Sequence, residues 1–155
     1  MSRALSALAA LLIFGAFASP ARAQEQGGKI VDDGWVKAVT AGDVEAVVAL
    51  YAPDAVLYAP DSMESRGTAA IRALYTEMLT ANTVSNPSFN TTYQTSGDLS
   101  TGWGTVTLTF TPKAGGAPQT MTVRVTAVTR KINGKWLYVA DHASVPLPAS
   151  PPPSK

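Results

Sequence analysis

From Lys29 to Ala41 the apolar residues Val31, Trp35, Ala38 and Val39 fall at i, i+4, i+7 and i+8, which predicts a helix with one apolar stripe. Gly42 suits the left-handed residue that closes such a helix, and Asp43 suits the N-cap of the next. Val44, Val47, Val48 and Tyr51 then repeat at i, i+3, i+4 and i+7, a second helix that Pro53 should stop. Asp54 to Ala59 alternates as a strand, Pro60-Asp61-Ser62 reads as a turn, and Met63 to Arg66 reads as a short return strand. A third helix, capped by Thr68, carries Ile71, Leu74, Tyr75, Met78 and Leu79 on one face and should end near Asn82, ahead of a break at Asn86-Pro87.

The remainder has the period of strands. Phe89 to Gln94 alternates, and Gly97-Asp98 is a turn. Trp103 to Thr111 sets Val106, Leu108 and Phe110 against Thr105, Thr107 and Thr109. Gln119 to Arg130 sets Met121, Val123, Val125 and Ala127 against Thr122, Arg124 and Thr126. Asn133-Gly134 is a strong hairpin signal that leads into an aromatic strand, Gly134 to Ser144. Helices followed by long antiparallel strands make an α+β arrangement, with the helices on one face of a curved sheet. The Thr-rich opposite face suits solvent or a partner subunit.

The two ends read differently. Met1-Ser2-Arg3, an apolar run from Ala4 to Ala18 and Ala21-Arg22-Ala23 have the form of a secretory signal peptide cleaved after Ala23. That run is shorter than the about 20 residues of a membrane span. The expected organisation is a signal at 1–23, a flexible mature start at 24–28, one domain at 29–146 and a Pro-rich tail at 147–155. An exported, soluble protein is expected, periplasmic or secreted.

Composition narrows the chemistry. Without Arg3 and Arg22, the 12 cations become 10 against 11 acids, a charge near −1 that gives no footprint for nucleic acid or an anionic membrane. There is no cysteine, so neither a disulfide, a thiolate nucleophile nor a Cys-type zinc site is available, and one histidine cannot make a metal cluster. Phosphate-binding glycine loops, G-x-S-x-G and H-E-x-x-H are absent. No cofactor and no metal are expected.

Ala41-Gly42-Asp43-Val44-Glu45-Ala46-Val47-Val48-Ala49-Leu50-Tyr51-Ala52-Pro53-Asp54-Ala55-Val56 resembles the second-helix signature of SnoaL-like proteins, members of the nuclear transport factor 2-like superfamily. Arg66-Gly67-Thr68-Ala69-Ala70-Ile71-Arg72 resembles the start of their third helix, and Gly134 to Ser144 resembles their closing G-K-W-x-x-x-x-D-H-x-S strand. The resemblance spans roughly 29–146. It implies a cone-shaped α+β barrel, a strongly bent antiparallel sheet against three helices with a pocket in its mouth, and commonly a homodimer. It also implies a choice between cofactor-independent isomerisation, cyclisation or dehydration and mere binding of a small apolar or amphipathic molecule or a partner. Fold alone does not choose between them.

His142 carries the chain's lone imidazole, the side-chain type best suited to hold and release a proton under ordinary conditions, and is the first candidate proton carrier, or else a histidine hydrogen-bonded at a strand end or subunit interface. Alternation puts its neighbour Asp141 on the other face unless a bulge intervenes, so with Trp136, Tyr138 and His142 inside, Asp141 points out. Asp61 is the second catalytic candidate. The isomerase branch of the resembled superfamily keeps a general-base carboxylate in this part of the chain, and a carboxyl in an apolar mouth can carry a raised pKa. The epoxide-hydrolase branch uses an Asp-Arg-Asp set for which Asp61, Arg124 and Asp141 are nominal materials. Tyr58, Tyr75, Tyr138, Trp35, Met78 and Trp103 are the candidate ligand-lining residues, the tyrosines able to orient a carbonyl or hydroxyl.

Overall fold

The structure, a computed structural model, describes residues 26–146. The signal peptide and the Pro-rich tail of the sequence reading lie outside the described residues. The elements run α1 (Gly27–Ala41), α2 (Val44–Val48), β1 (Tyr51–Tyr58), β2 (Ser65–Arg66), α3 (Gly67–Ala81), β3 (Asn82–Ser96), β4 (Leu99–Pro112), β5 (Gln119–Ile132) and β6 (Lys135–Ser144). Six strands form one curled sheet in the order β2-β1-β6-β5-β4-β3, antiparallel except where β1 runs parallel to β6. The expected α+β cone is the architecture observed. No helix among the described residues is long and apolar enough to cross a membrane.

The helices cover the concave face, α1 against β3 to β6 and α3 against β1 to β3. Val31, Val39, Val47 and Ile71 are sealed between layers with Val84, Val106, Leu108 and Val123 from the sheet. Gly42 closes α1 in the left-handed conformation (φ 68), and the Asp43 side chain accepts from the Ala46 N–H to cap α2. The Asn133-Gly134 hairpin forms with φ positive at both residues.

Four local readings change. Helix α2 stops at Val48, and Tyr51 begins a strand instead of ending a helix. The cause is tertiary: Leu50 O accepts from Tyr138 N at 2.8 Å, which draws the chain alongside β6. Pro53 therefore lies inside β1, at a register shift between Tyr51 and Val56 where its missing N–H costs no ladder bond. Asn86-Pro87 likewise does not end an element. It forms a bulge within β3, with Asn86 at φ 51 and the β4 register skipping from Ser85 to Ser88. Thr68 is not a cap, because α3 starts at Gly67 with Arg66 at the N-cap and no side-chain bond there. Finally, Gly27 and Gly28, placed by the sequence before the domain, are buried in the first turn of α1.

Candidate functional site

The curled sheet and the helical layer leave a cavity of about 510 Å³ between them. Its walls are mostly apolar: Leu74 and Met78 from α3, Phe89 from β3, Leu108 and Phe110 from β4, and Met121, Val123 and Val125 from β5. Trp35 packs edge-on against Phe89, with ring centroids 5.7 Å apart. Pro60, Asp61 and Ser62 from the β1–β2 turn also line it, as does Glu77.

Two carboxylates, Asp32 and Asp141, are set into this wall, each held by tyrosine hydroxyls. Asp32 lies on the inner face of α1, one turn after Gly28, and is 5 % exposed. Its Oδ1 accepts a short hydrogen bond from Tyr138 and its Oδ2 accepts from Tyr93 at 2.6 Å. Tyr93 reaches it because Gly28 leaves room: a Cβ at Gly28 would sit 2.7 Å from the Tyr93 ring. Burial raises the Asp32 pKa, and the two tyrosine bonds only partly oppose it.

Asp141 stands on β6 at the end of a directional chain. Tyr51 donates to its Oδ2 at 2.8 Å, so the 2.8 Å contact between the Tyr51 and Tyr75 hydroxyls must use the Tyr75 proton. Tyr75 in turn accepts from the Trp35 indole Nε1–H at 2.8 Å. Trp35, Tyr75 and Tyr51 thus all point their protons toward one carboxylate. Enclosure in the wall pushes Asp141 up to about 6. The Tyr51 bond and the His142 backbone act in the lowering direction, and the negative charge of Asp32 adds to the rise. Burial foremost also raises the pKa of Tyr51, Tyr75 and Tyr138, so their hydroxyls stay protonated at neutral pH. Thr91 Oγ1, in the wall beside Tyr93, is buried without a hydrogen-bond partner among the described residues.

The sequence expectation for the two neighbours on β6 is reversed. Val128 and Thr129 on β5 pair with Ala140 and Tyr138 on β6, which leaves Val139 as an unpaired extra residue. This bulge shifts the alternation by one. Trp136 and Tyr138 face inward before it, whereas Asp141 and Ala143 face the cavity after it. His142 is exposed on the outer face, opposite Tyr58 in the β1–β6 ladder, with ring centroids 6.1 Å apart. His142 is therefore outside the cavity.

Of the other expected residues, Asp61 lines the cavity from an exposed turn position at φ 53. Tyr75, Tyr138, Trp35 and Met78 lie in its lining. Tyr58 and Trp103 do not. They are 43 % and 45 % exposed on the outer face, and Tyr58 donates to Glu64 at 2.6 Å. Arg124 is exposed and lines no part of the cavity, so Asp61, Arg124 and Asp141 do not come together as a triad. Asp32, Tyr51 and Tyr93 were missed. The signal for Asp32 was present in the spacing of Gly28, Asp32, Trp35 and Val39, which puts a carboxylate in the apolar stripe of α1.

The family model of the SnoaL-like domain matches residues 33–139. No curated protein matches the chain significantly. Among solved structures the chain is similar to a protein from Xanthomonas campestris named for the calcium/calmodulin dependent protein kinase II association domain. The identity is 29 %, with 83 % of this chain and 91 % of that one covered at a TM-score of 0.72. It is also similar to a ketosteroid isomerase-like protein from Erwinia carotovora atroseptica (24 % identity, 77 % and 94 % covered, TM-score 0.63). A third similar structure is a protein of the NTF2-like family from Streptomyces avermitilis, assigned as a dehydratase (16 % identity, 79 % and 96 % covered, TM-score 0.70). With its curled six-stranded sheet, three covering helices and a family model matched over most of its length, the chain belongs to the SnoaL-like domain family.

Proposed function

We propose that this protein binds a small amphipathic molecule in its cavity and moves a proton on it, with Asp141 as the general acid/base. The observation that carries the reading is the position of Asp141, a carboxyl in an apolar wall raised to about 6 and fed by a one-directional chain from Trp35. A group poised near ambient pH takes a proton without being solvated and gives it back without a large penalty. The ionised carboxylate would remove a proton beside a carbonyl or hydroxyl-bearing carbon, and the resulting acid would return it to another position, which is the course of an isomerisation or a dehydration. The dehydratase and isomerase-like names of two similar structures point the same way. His142 has no part in this step, and Asp61 lines the mouth instead of the proton-transfer corner.

The test is deuterium wash-in from heavy water beside the carbonyl of two cyclic ketones, neutral β-tetralone and amine-bearing tropinone, followed by proton NMR. Exchange above background that falls at least about 100-fold in Asp141→Asn and is unchanged in His142→Ala is expected. Exchange absent from the wild type, or surviving Asp141→Asn, overturns the catalytic reading and leaves a binding protein.

Two coarser features of the reading have their own tests. The outer sheet face carries exposed Trp103 and a threonine ladder (Thr107 to Thr122 and Thr109 to Thr120, each 2.8 Å), and it would serve as a homodimer contact. Sedimentation of the wild type against Trp103→Glu decides this: a dimer converted to a monomer supports it, and a wild-type monomer rejects it. Export through residues 1–23 predicts Gln24 as the mature N-terminus in a periplasmic or medium fraction; an intact Met1 in the cytoplasm rejects it.

A further inference from the structure

The polar groups of the cavity are unusually one-sided. Its lining among the described residues includes Asp32, Asp61, Glu77 and Asp141 but no lysine, arginine or histidine. Hydrogen-bond direction adds to this. Tyr138 and Tyr93 give their protons to Asp32, Tyr51 gives its own to Asp141, and Tyr75 gives its own to Tyr51. The Trp35 N–H is also committed, to Tyr75. What remains for a ligand is mostly lone pairs, together with the faces of Trp35, Phe89 and the tyrosines; the side-chain donors left are few, the Thr91 hydroxyl and the second N–H of the Asn82 amide, whose first goes to Met78 O. An anion entering here meets like charge and finds few donors. An ammonium meets carboxylates, hydroxyl lone pairs and aromatic faces.

We infer that the molecule this cavity takes is an organic cation, an amphiphile whose apolar body fills the cavity and whose protonated amine sits at the Asp32–Asp141 corner. This rests on the reading of the cavity as the ligand site, and it adds the class of ligand. It also supplies what the wall lacks for proton transfer. Charge developing on a ligand oxygen would be balanced by the ligand's own ammonium, since the tyrosine protons are committed elsewhere.

The inference carries a pH dependence. The groups facing Asp141 are Asp32 from α1, Tyr51 from β1, Tyr75 from α3 and Tyr138 from β6, with Tyr93 of β3 and the exposed Lys29–Asp33 pair around Asp32. The one cation among these, Lys29, is exposed and paired with Asp33, and its charge acts on Asp32 from outside the corner. Cation binding therefore selects the ionised form of Asp141, and affinity should rise as pH climbs through about 6.

The experiment uses a matched series, phenylbutylamine, phenylbutanol and phenylbutyrate, titrated into the full-length mature protein by calorimetry. At about pH 7.5 the amine should bind at least about tenfold more tightly than the alcohol and more tightly still than the acid. Its affinity should fall about tenfold at about pH 5, where only a minority of Asp141 is ionised. Asp32→Asn and Asp141→Asn should each erode the preference, and the wild-type ratios stand even if either variant fails to fold. Equal or tighter binding of the alcohol or acid, a flat pH dependence for the amine, or binding of none of the three overturns the inference. Since no turnover is measured, the catalytic reading can fail in the deuterium experiment while the charge preference survives, or the reverse.

Discussion

A tyrosine hydroxyl donating to a carboxylate occurs on both sides of the sheet, and one pair from each face makes the comparison. On the outer face Tyr58 donates to Glu64 at 2.6 Å, and Arg66 adds an ion pair at 2.7 Å. On the inner face Tyr51 donates to Asp141 at 2.8 Å. The bonds are alike, yet the carboxyls move in opposite directions. Glu64 is lowered by its partners, Tyr58 first and Arg66 next, because water already solvates it. Asp141 is raised, because losing water outweighs the tyrosine bond. A tyrosine–carboxylate contact is therefore not a sign of a reactive acid; the dielectric around it decides.

Changing one pair should have large consequences and changing the other small ones. The largest is catalytic: Asp141→Asn should cost at least about 100-fold in deuterium exchange, while Glu64→Gln leaves the rate unaltered. Next comes stability against pH. Asp141 is raised from 3.8 to about 6 on folding, so the native state holds a proton that the unfolded chain releases. Its contribution is present below about pH 4 and is lost as pH rises through 6, a difference of about 3 kcal/mol. Urea unfolding across that window should show the loss in the wild type and a clearly smaller one in Asp141→Asn, where only the raised Asp32 remains. Glu64, lowered instead, contributes in the opposite sense. A smaller effect is expected of Tyr51→Phe, which removes a bond that lowers the Asp141 pKa. The carboxyl should move further up, and stability should fall by about 1–2 kcal/mol as Asp141 and Tyr75 each lose a partner. Smallest of all, Tyr58→Phe should leave the urea midpoint nearly unchanged in the same measurement.

Much of the fold was legible in the residues. The apolar spacing on α1 and α3, the alternation on β4 and β5, and Asn133-Gly134 each carry their structure locally, and the SnoaL-like motifs tie them into a cone. What escaped was set by distant partners. Tyr51 fits a helical stripe, but pairing with β6 makes it a strand residue and brings its hydroxyl to Asp141. Asn86-Pro87 has the composition of a break and forms a bulge, because β4 continues alongside it.

The site suffered most from a single residue. Strict alternation from Trp136 puts His142 inside, and only the unpaired Val139 reverses this. Nothing in Leu137-Tyr138-Val139-Ala140 marks a bulge, since it arises from the register with β5. The lone histidine stands on one face of β6 and the carboxylate beside it on the other. Asp32 was overlooked for a related reason, because Asp-Asp on a helix reads as a solvated pair until the helix is turned so that one faces the sheet.

The claim beneath the whole account is that residue 141, and not 142, holds the proton inside the cavity. Carboxyl-carbon NMR of aspartate-labelled protein, titrated across the acid and neutral range and assigned with Asp141→Asn, measures it directly. The account predicts a midpoint for Asp141 at about 6. A midpoint near 3.8, where a free aspartate titrates, would contradict it.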